Sequence, residues 1–289
     1  MMRFLLVCTF LLSSQVKSAS WQVTFPRPVD TSTSIEEYPL QLLSLALAET
    51  GVNYQLIPSE KILPKNRALA RLKDNREVNI VWGMTSSQRE QDFLPIRIPI
   101  FKGLVGWRLF LIRSDMSARF KYIQNVEQLV KLAPIQGRDW QDTKILQSNG
   151  FDVVAERNQT DLLNMLARAQ GDFFPRSIAE IWDELGKSPE TYDLKIQPTL
   201  GLYYPAATYF FVNKKSAPLA KLIETGLEKA IKNGKFDALF KDNYQAYIQK
   251  ADIPNRTFYR LENNFLPEKT PLNRKELWFD GELKNTQSK

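Results

Sequence analysis

The sequence predicts an α/β protein, and three observations carry that prediction. Runs rich in β-branched and aromatic residues alternate with stretches that have an apolar helical stripe and helix punctuation. The alternation extends over most of the 289 residues, enough for one or two lobes with an ordinary core. No internal repeat or low-complexity linker interrupts it. Such alternation favours mainly parallel sheets flanked by helices.

The elements follow in order. WQVTF (21–25) is a strand candidate closed by a Pro-rich turn. SIEEYPLQLLSLALAETG (34–51) reads as a helix, with Glu36 and Glu37 at its start, Pro39 in the first turn and Gly51 as its stop. VNYQLIP (52–58) and VNIVWGM (78–84) are strands on either side of the helix KNRALARLKDN (65–75). GWRLFLIR (106–113) is a strand, and NVEQLVKLA (125–133) and WQDTKILQSNG (140–150) are helices. FDVVA (151–155) and DFFP (172–175) are strands around the helix TDLLNMLARAQG (160–171). YDLKIQ (192–197) and ATYFFVN (207–213) complete the strands, and two helices span 216–233 and 235–250. The tail, 251–289, is rich in Pro, Asn and charge. It also carries Phe258, Tyr259, Phe265, Trp278 and Phe279, which predicts packing against the body as far as Gly281 and disorder in the last eight residues.

The first twenty residues, MMRFLLVCTFLLSSQVKSAS, combine a basic start at Arg3, an apolar run over 4–12 and small polar residues. That is the pattern of a secretory signal peptide, residues 1–20, with the cut near 18–21. The run is shorter than the ~20 residues a membrane span needs. Val7 stands before Cys8 where a lipid-anchoring signal wants a small residue, so an exported, soluble mature chain is expected. Cleavage lowers the net charge from +7 to +5 and removes the only cysteine, and histidine is absent throughout. Thiol nucleophiles, disulfides, histidine triads and most zinc sites are thereby excluded, and no cofactor or metal is expected. Lysines and arginines are scattered among acids with no long basic run. This is a mixed solvated surface, and nucleic acid is not an expected partner.

GDFFPRSIAEIWDELG (171–186) poses an electrostatic question. Ser177 and Glu180 have capping-box spacing, which places Arg176 just before a helix N-terminus that already favours an anion. Either Arg176 pairs with Glu180, Asp183 or Glu184 of its own helix, or it receives a negative ligand.

VNIVWGMTSSQREQDFLPIRIPI (78–100) runs from a strand to Gly83, a Thr/Ser turn at Thr85, Ser86 and Ser87, the pair Arg89–Glu90, and then Pro95 and Pro99. In this the chain resembles the bacterial extracellular (periplasmic) solute-binding proteins of the polar-amino-acid-binding type, from about residue 21 to 250. The resemblance implies a two-lobe periplasmic-binding-protein-like fold with two crossings, near 103–107 and 202–206. One lobe would comprise 21–104 plus 204–289, with the tail packed on it, and the other 105–203. It also implies a periplasmic monomer that holds a small molecule between its lobes for an importer or a membrane sensor.

For the site, the resemblance gives Arg89 a bidentate grip on a ligand carboxylate, with hydroxyl and backbone donors from Thr85 and Ser86. The plainer reading has Arg89 paired with Glu90 or Asp92. Trp82 either stacks on the ligand or fills the core. In PIQGRDWQDTKIL (134–146) the family's strand–Gly–helix turn presents backbone N–H groups, with Gly137 allowing close approach and Asp139 as a cap. Arg138 and Trp140 depart from that pattern, and each either faces the cleft or lies on an exposed loop. Where amino-acid binders of this type hold the ligand ammonium with an aspartate, this chain has Pro175, Arg176 and Ser177. An anion gripped by Arg89 and Arg176 is the expectation that follows. Two other function classes stay open: a protein-interaction module whose contact surface is the aromatic tail, and an enzyme using Asp30, Glu36 or Glu90. The export signature predicts that intact-mass measurement of secreted protein will find a chain beginning between Ala19 and Trp21; an acylated chain retaining Cys8 would contradict this.

Overall fold

The computed structural model describes residues 20–28, 34–157, 161–281 and 286–287. The signal-peptide prediction, Ser20 aside, and the candidate Asp30 lie outside the described residues.

The first part of the chain forms β1 (Trp21–Arg27), α1 (Ser34–Thr50), β2 (Tyr54–Ile62), α2 (Lys65–Lys73), β3 (Ile80–Met84), α3 (Ser87–Asp92) and β4 (Leu94–Ile96). The middle forms β5 (Trp107–Arg113), α4 (Ser117–Phe120), α5 (Val126–Leu129), β6 (Ile135–Gly137), α6 (Gln141–Ser148), β7 (Val154–Glu156) and α7 (Leu162–Ala167). Then come β8 (Phe174–Ser177), α8 (Ile181–Lys187), β9 (Leu194–Ile196) and β10 (Leu200–Tyr203). The chain closes with β11 (Thr208–Val212), α9 (Ala217–Lys232), α10 (Lys235–Ala251), β12 (Thr257–Arg260) and β13 (Thr286–Gln287).

Two lobes result. The first is built on the parallel pair β1–β2 and on β3–β11–β4. Asn79 joins these two pieces, because its amide side chain and backbone bond Thr24 and Gln22 of β1 at 2.8–2.9 Å. The second lobe is built on β12–β10–β5–β8, with β9 also on β5 and the parallel pair β6–β7 alongside. Parallel pairing holds at β1–β2, β6–β7, β10–β12 and β12–β13, and the remaining pairs are antiparallel, so the sheets are mixed. The two strands that follow the crossings, β5 and β11, run antiparallel to their neighbours because each enters its sheet from the opposite lobe.

The tail departs from its expected place. β12 adds in parallel to β10, so residues 257–260 belong to the second sheet rather than the first lobe. β13 pairs with β12 where disorder was expected. Further along, Phe279 returns to Phe240 of α10 and to Trp107, with ring centroids 6.5 and 5.7 Å apart.

Burial follows the predicted patterns. In the first lobe Tyr38, Phe101, Phe240 and Tyr244 form one aromatic cluster, with centroids 5.0–6.5 Å apart. In the second, Phe110, Phe120, Phe151 and Phe173 form another. α1 crosses α9 so closely that a Cβ on Gly226 would lie 1.8 Å from the Ala46 carbonyl oxygen. Gly226→Ala must therefore separate the helices, and overpacking of this kind destabilises by about 1–3 kcal/mol. Thermal unfolding should show the loss, and a wild-type melting temperature would refute the contact.

Candidate functional site

The turn between β3 and α3 positions the first set of predicted residues. Ser86 caps α3 by accepting the Arg89 N–H at 3.3 Å. The Thr85 hydroxyl donates to Glu90 at 2.9 Å, and Glu90 is held in turn by Arg97 at 2.6 Å. Asp92 is held by Lys73 at 2.7 Å. Both acids proposed as surface partners of Arg89 are thus engaged elsewhere. Arg89 instead folds back so that Nη1 donates to the Met84 carbonyl, with its guanidinium 5.9 Å from the Phe211 ring. Burial lowers its pKa, and among the described residues no carboxylate ion-pairs with it.

Lys65, which the sequence reading missed, completes this corner. It opens α2, whose first turn has no acid, so a positive charge stands at a helix N-terminus without local compensation. A Cβ on Gly83 would lie 2.9 Å from Arg89 Nη1 and 3.5 Å from Lys65 Nζ, so the glycine leaves room for both cations to converge. The protein crowded around Lys65, followed by the Arg89 charge, pulls its pKa down towards about 8, against a weaker upward pull from Asp142, Glu36 and Glu180. The residue as a whole keeps open surface.

The opposite wall belongs to the second lobe. Arg176 does not precede a helix. It is the third residue of β8, and α8 begins only at Ile181 after an intervening turn. The Ser177–Glu180 reciprocity exists, with the Ser177 N–H donating to Glu180 at 3.0 Å and the Ala179 N–H to Ser177 Oγ at 3.1 Å, but it closes that turn. The Arg176 guanidinium donates through Nε (2.6 Å) and Nη2 to Glu184 and lies 2.9 Å from Glu180. It also sits 4.5 Å from the Trp140 ring and 4.8 Å from the Phe174 ring. Burial opposes its charge, but Glu180 and Glu184 outweigh burial and raise its pKa. The two-armed grip on an anion by Arg89 and Arg176 is corrected accordingly: Arg176 is ion-paired with Glu180 and Glu184 of its own lobe, the plainer of the two expectations.

Arg176 belongs to a larger network. Arg108 of β5 is 3% exposed and bonds Asp142 at the start of α6, with Glu180 3.4 Å away. The Tyr204 hydroxyl also donates to Asp142, and the Arg108 guanidinium lies 5.6 Å from the Tyr204 ring. Two guanidinium groups face three carboxylates, and burial raises the pKa of Glu184 against the opposing pull of Arg176. The network's signal was present in the sequence as one arginine inside the apolar run GWRLFLIR.

The remaining predicted residues separate. Trp82 packs edge-on to Phe210 at 6.3 Å and near Phe25 at 6.4 Å, which favours the core reading. Trp140 joins the Arg176 network, stacked on Phe174 at 6.3 Å, and Gly137 is required because a Cβ there would come within 2.4 Å of the indole. Arg138 is exposed, with its backbone N–H on Glu156. Asp139 accepts from Asn66 across the lobes at 3.1 Å and does not cap α6. A crevice of about 440 Å³ runs between α2, the α3 turn, α6 and the tail, lined among others by Ser86, Ser87, Arg89, Gln141, Lys144 and Phe265.

No protein-family model matches this sequence, and comparison with curated proteins returned no match. Solved structures do match. The chain is similar to a probable amino-acid ABC transporter extracellular-binding protein from Bacillus subtilis, at 17% identity and TM-score 0.60 over 78% of this chain and 98% of that one. It is also similar to a Salmonella typhimurium periplasmic binding protein of high arginine specificity, at 13% identity and TM-score 0.56 over 78% of this chain and all of the other. A histidine kinase sensor domain with similarity to periplasmic binding proteins aligns at 16% identity and TM-score 0.55 over 78% of this chain and 96% of that one. The fold is that of the two-lobe periplasmic binding proteins, and these neighbours are binding proteins and a sensor domain rather than enzymes.

The buried network makes a stability prediction. Arg176→Ala leaves Glu184 without its fork partner and Glu180 with Arg108 alone, and removing one member of a buried pair costs about 3–5 kcal/mol. Urea unfolding should report that loss, whereas stability like wild type would mean that the carboxylates are not held by Arg176.

Proposed function

We propose that this protein is an exported periplasmic solute-binding protein that captures a small molecule between its lobes and presents it to an importer or a membrane sensor. The lobe boundaries follow the crossings, 21–104 with 204 onward and 105–203, with the β12 stretch of the tail lent to the second lobe. The observation that carries the reading is the convergence of Arg89 and Lys65 beside Gly83, two cations that among the described residues have no ion-paired carboxylate, at the edge of an inter-lobe crevice. A planar fork and an ammonium at one corner suit a carboxylate or a comparable anionic head. The network across the cleft has one carboxylate in excess, so a ligand with a positively charged far end meets no repulsion there. Amino acids therefore stand among the candidates alongside dicarboxylates and phosphorylated molecules.

Thermal-shift screening of the mature chain against these three classes tests the reading, since free ligand at 100 times Kd stabilises by about 2.7 kcal/mol. With a hit in hand, Arg89→Ala should cost about 2–5 kcal/mol of binding with folding retained. Lys65 adds a pH signature. Its ammonium attracts the anionic head and its pKa is lowered, so affinity should fall as pH rises from 7 towards 10, and Lys65→Met should flatten that dependence. Calorimetry showing undiminished binding by Arg89→Ala would remove the proposed corner. A screen without any hit would favour a protein-interaction module on this fold.

A further inference from the structure

Two-lobe binding proteins of this architecture have chain crossings at which the lobes can move relative to each other. In this protein the C-terminal tail is attached to both crossings and to both lobes. We infer that residues 256–281 act as a strap that holds the inter-lobe angle fixed without ligand, so that the chain works as a pre-closed receptor.

The first crossing begins at Lys102 and Gly103, both in the left-handed region with φ of 49° and 71°. Lys102 is not a glycine, so it keeps that conformation only while its surroundings enforce it. The tail supplies much of that enforcement. The Phe279 N–H donates to the Lys102 carbonyl at 2.6 Å, and Lys102 Nζ donates to the Glu276 carbonyl at 2.7 Å. The Trp278 ring covers Gly103 so closely that a Cβ there would be 2.5 Å away.

The second crossing, 203–206, is held by a different part of the same segment. The Leu261 N–H donates to the Tyr203 carbonyl at 2.8 Å, directly after β12 has paired with β10, and the Asn263 side chain donates to the Pro205 carbonyl at 2.8 Å. Anchors in the body fix both ends. In the second lobe Asn149 and Glu262 exchange bonds of 2.8 and 3.1 Å. In the first, Arg274 grips Glu228 of α9 through two bonds of 2.6 and 2.9 Å. A change in lobe angle would shear at least one of these anchor pairs.

The mature sequence has no cysteine, so Lys131→Cys and Lys232→Cys place one spin label on each lobe without interference. Both sites are exposed. Pulsed dipolar spectroscopy of the otherwise unchanged, ligand-free chain should give one narrow distance distribution. In the Trp278→Ala, Arg274→Ala double variant, which keeps the full chain length, the distribution should broaden and shift by several ångström. Hydrogen exchange on the unsubstituted chain supplies an arm that no folding defect can obscure: the Gly106 and Tyr204 amides at the crossings should exchange as slowly as the β5 core. A broad distribution in the parent chain, fast exchange at those amides, or a folded double variant with an unchanged narrow distance would each overturn the strap.

Discussion

Five charged side chains, three buried and two half-buried, hold the second lobe in register. Arg108 and Arg176 stand on the paired strands β5 and β8, and the charge of Arg176 works against that of Arg108. Asp142, Glu180 and Glu184 reverse that repulsion, and in doing so they tie the start of α6, the turn before α8 and, through Tyr204, the second crossing to one centre. Taking such ions out of water is expensive, and the arrangement is tolerable only because the Arg176 fork meets a carboxylate while the acids accept further bonds. Trp140 occupies its place because Arg176 and Phe174 support the indole and Gly137 makes room for it.

This network also reassigns charge within the cleft. A guanidinium is attractive to a ligand only when no nearer carboxylate has already claimed it. Arg176 fails that condition and Arg89 meets it, although both lie beside turns and each has acids within five residues. The difference is in how the acids are committed. Glu90 and Asp92 are held by Arg97 and Lys73, which leaves Arg89 to a backbone carbonyl, whereas Glu180 and Glu184 turn inward. On the proposed reading, an anionic head has its receptor corner on the first lobe.

Much of the architecture was legible before any coordinates. The segments read as β1, β3, β5 and β11 carry their burial in their apolar runs, and α1, α9 and α10 carry theirs in helical stripes. The Thr85–Ser86–Arg89 turn could be read because capping and strand-end position are local properties. The short α5, which stops at Leu129 instead of running on to Ala133, was overextended because its ending lacks a strong stop signal. Lys65 was invisible for another reason: a lysine opening a helix is unremarkable until the fold sets it against Arg89. The partners of Arg176 were foreseen as an alternative. Choosing between them needed the knowledge that β8 runs through Ser177, which delays the helix and brings Glu184 under the guanidinium.

The parallel addition of β12 to β10 has a consequence for biogenesis. Residues 257–260 cover an edge of the sheet that 200–203 would otherwise present to solvent. An open edge is a template for pairing with other chains. Until the C-terminal region is available, a folding chain has a nearly complete second sheet with one unguarded side. Its final folding step is then a long-range strand addition, of the slow kind that follows from high sequence separation.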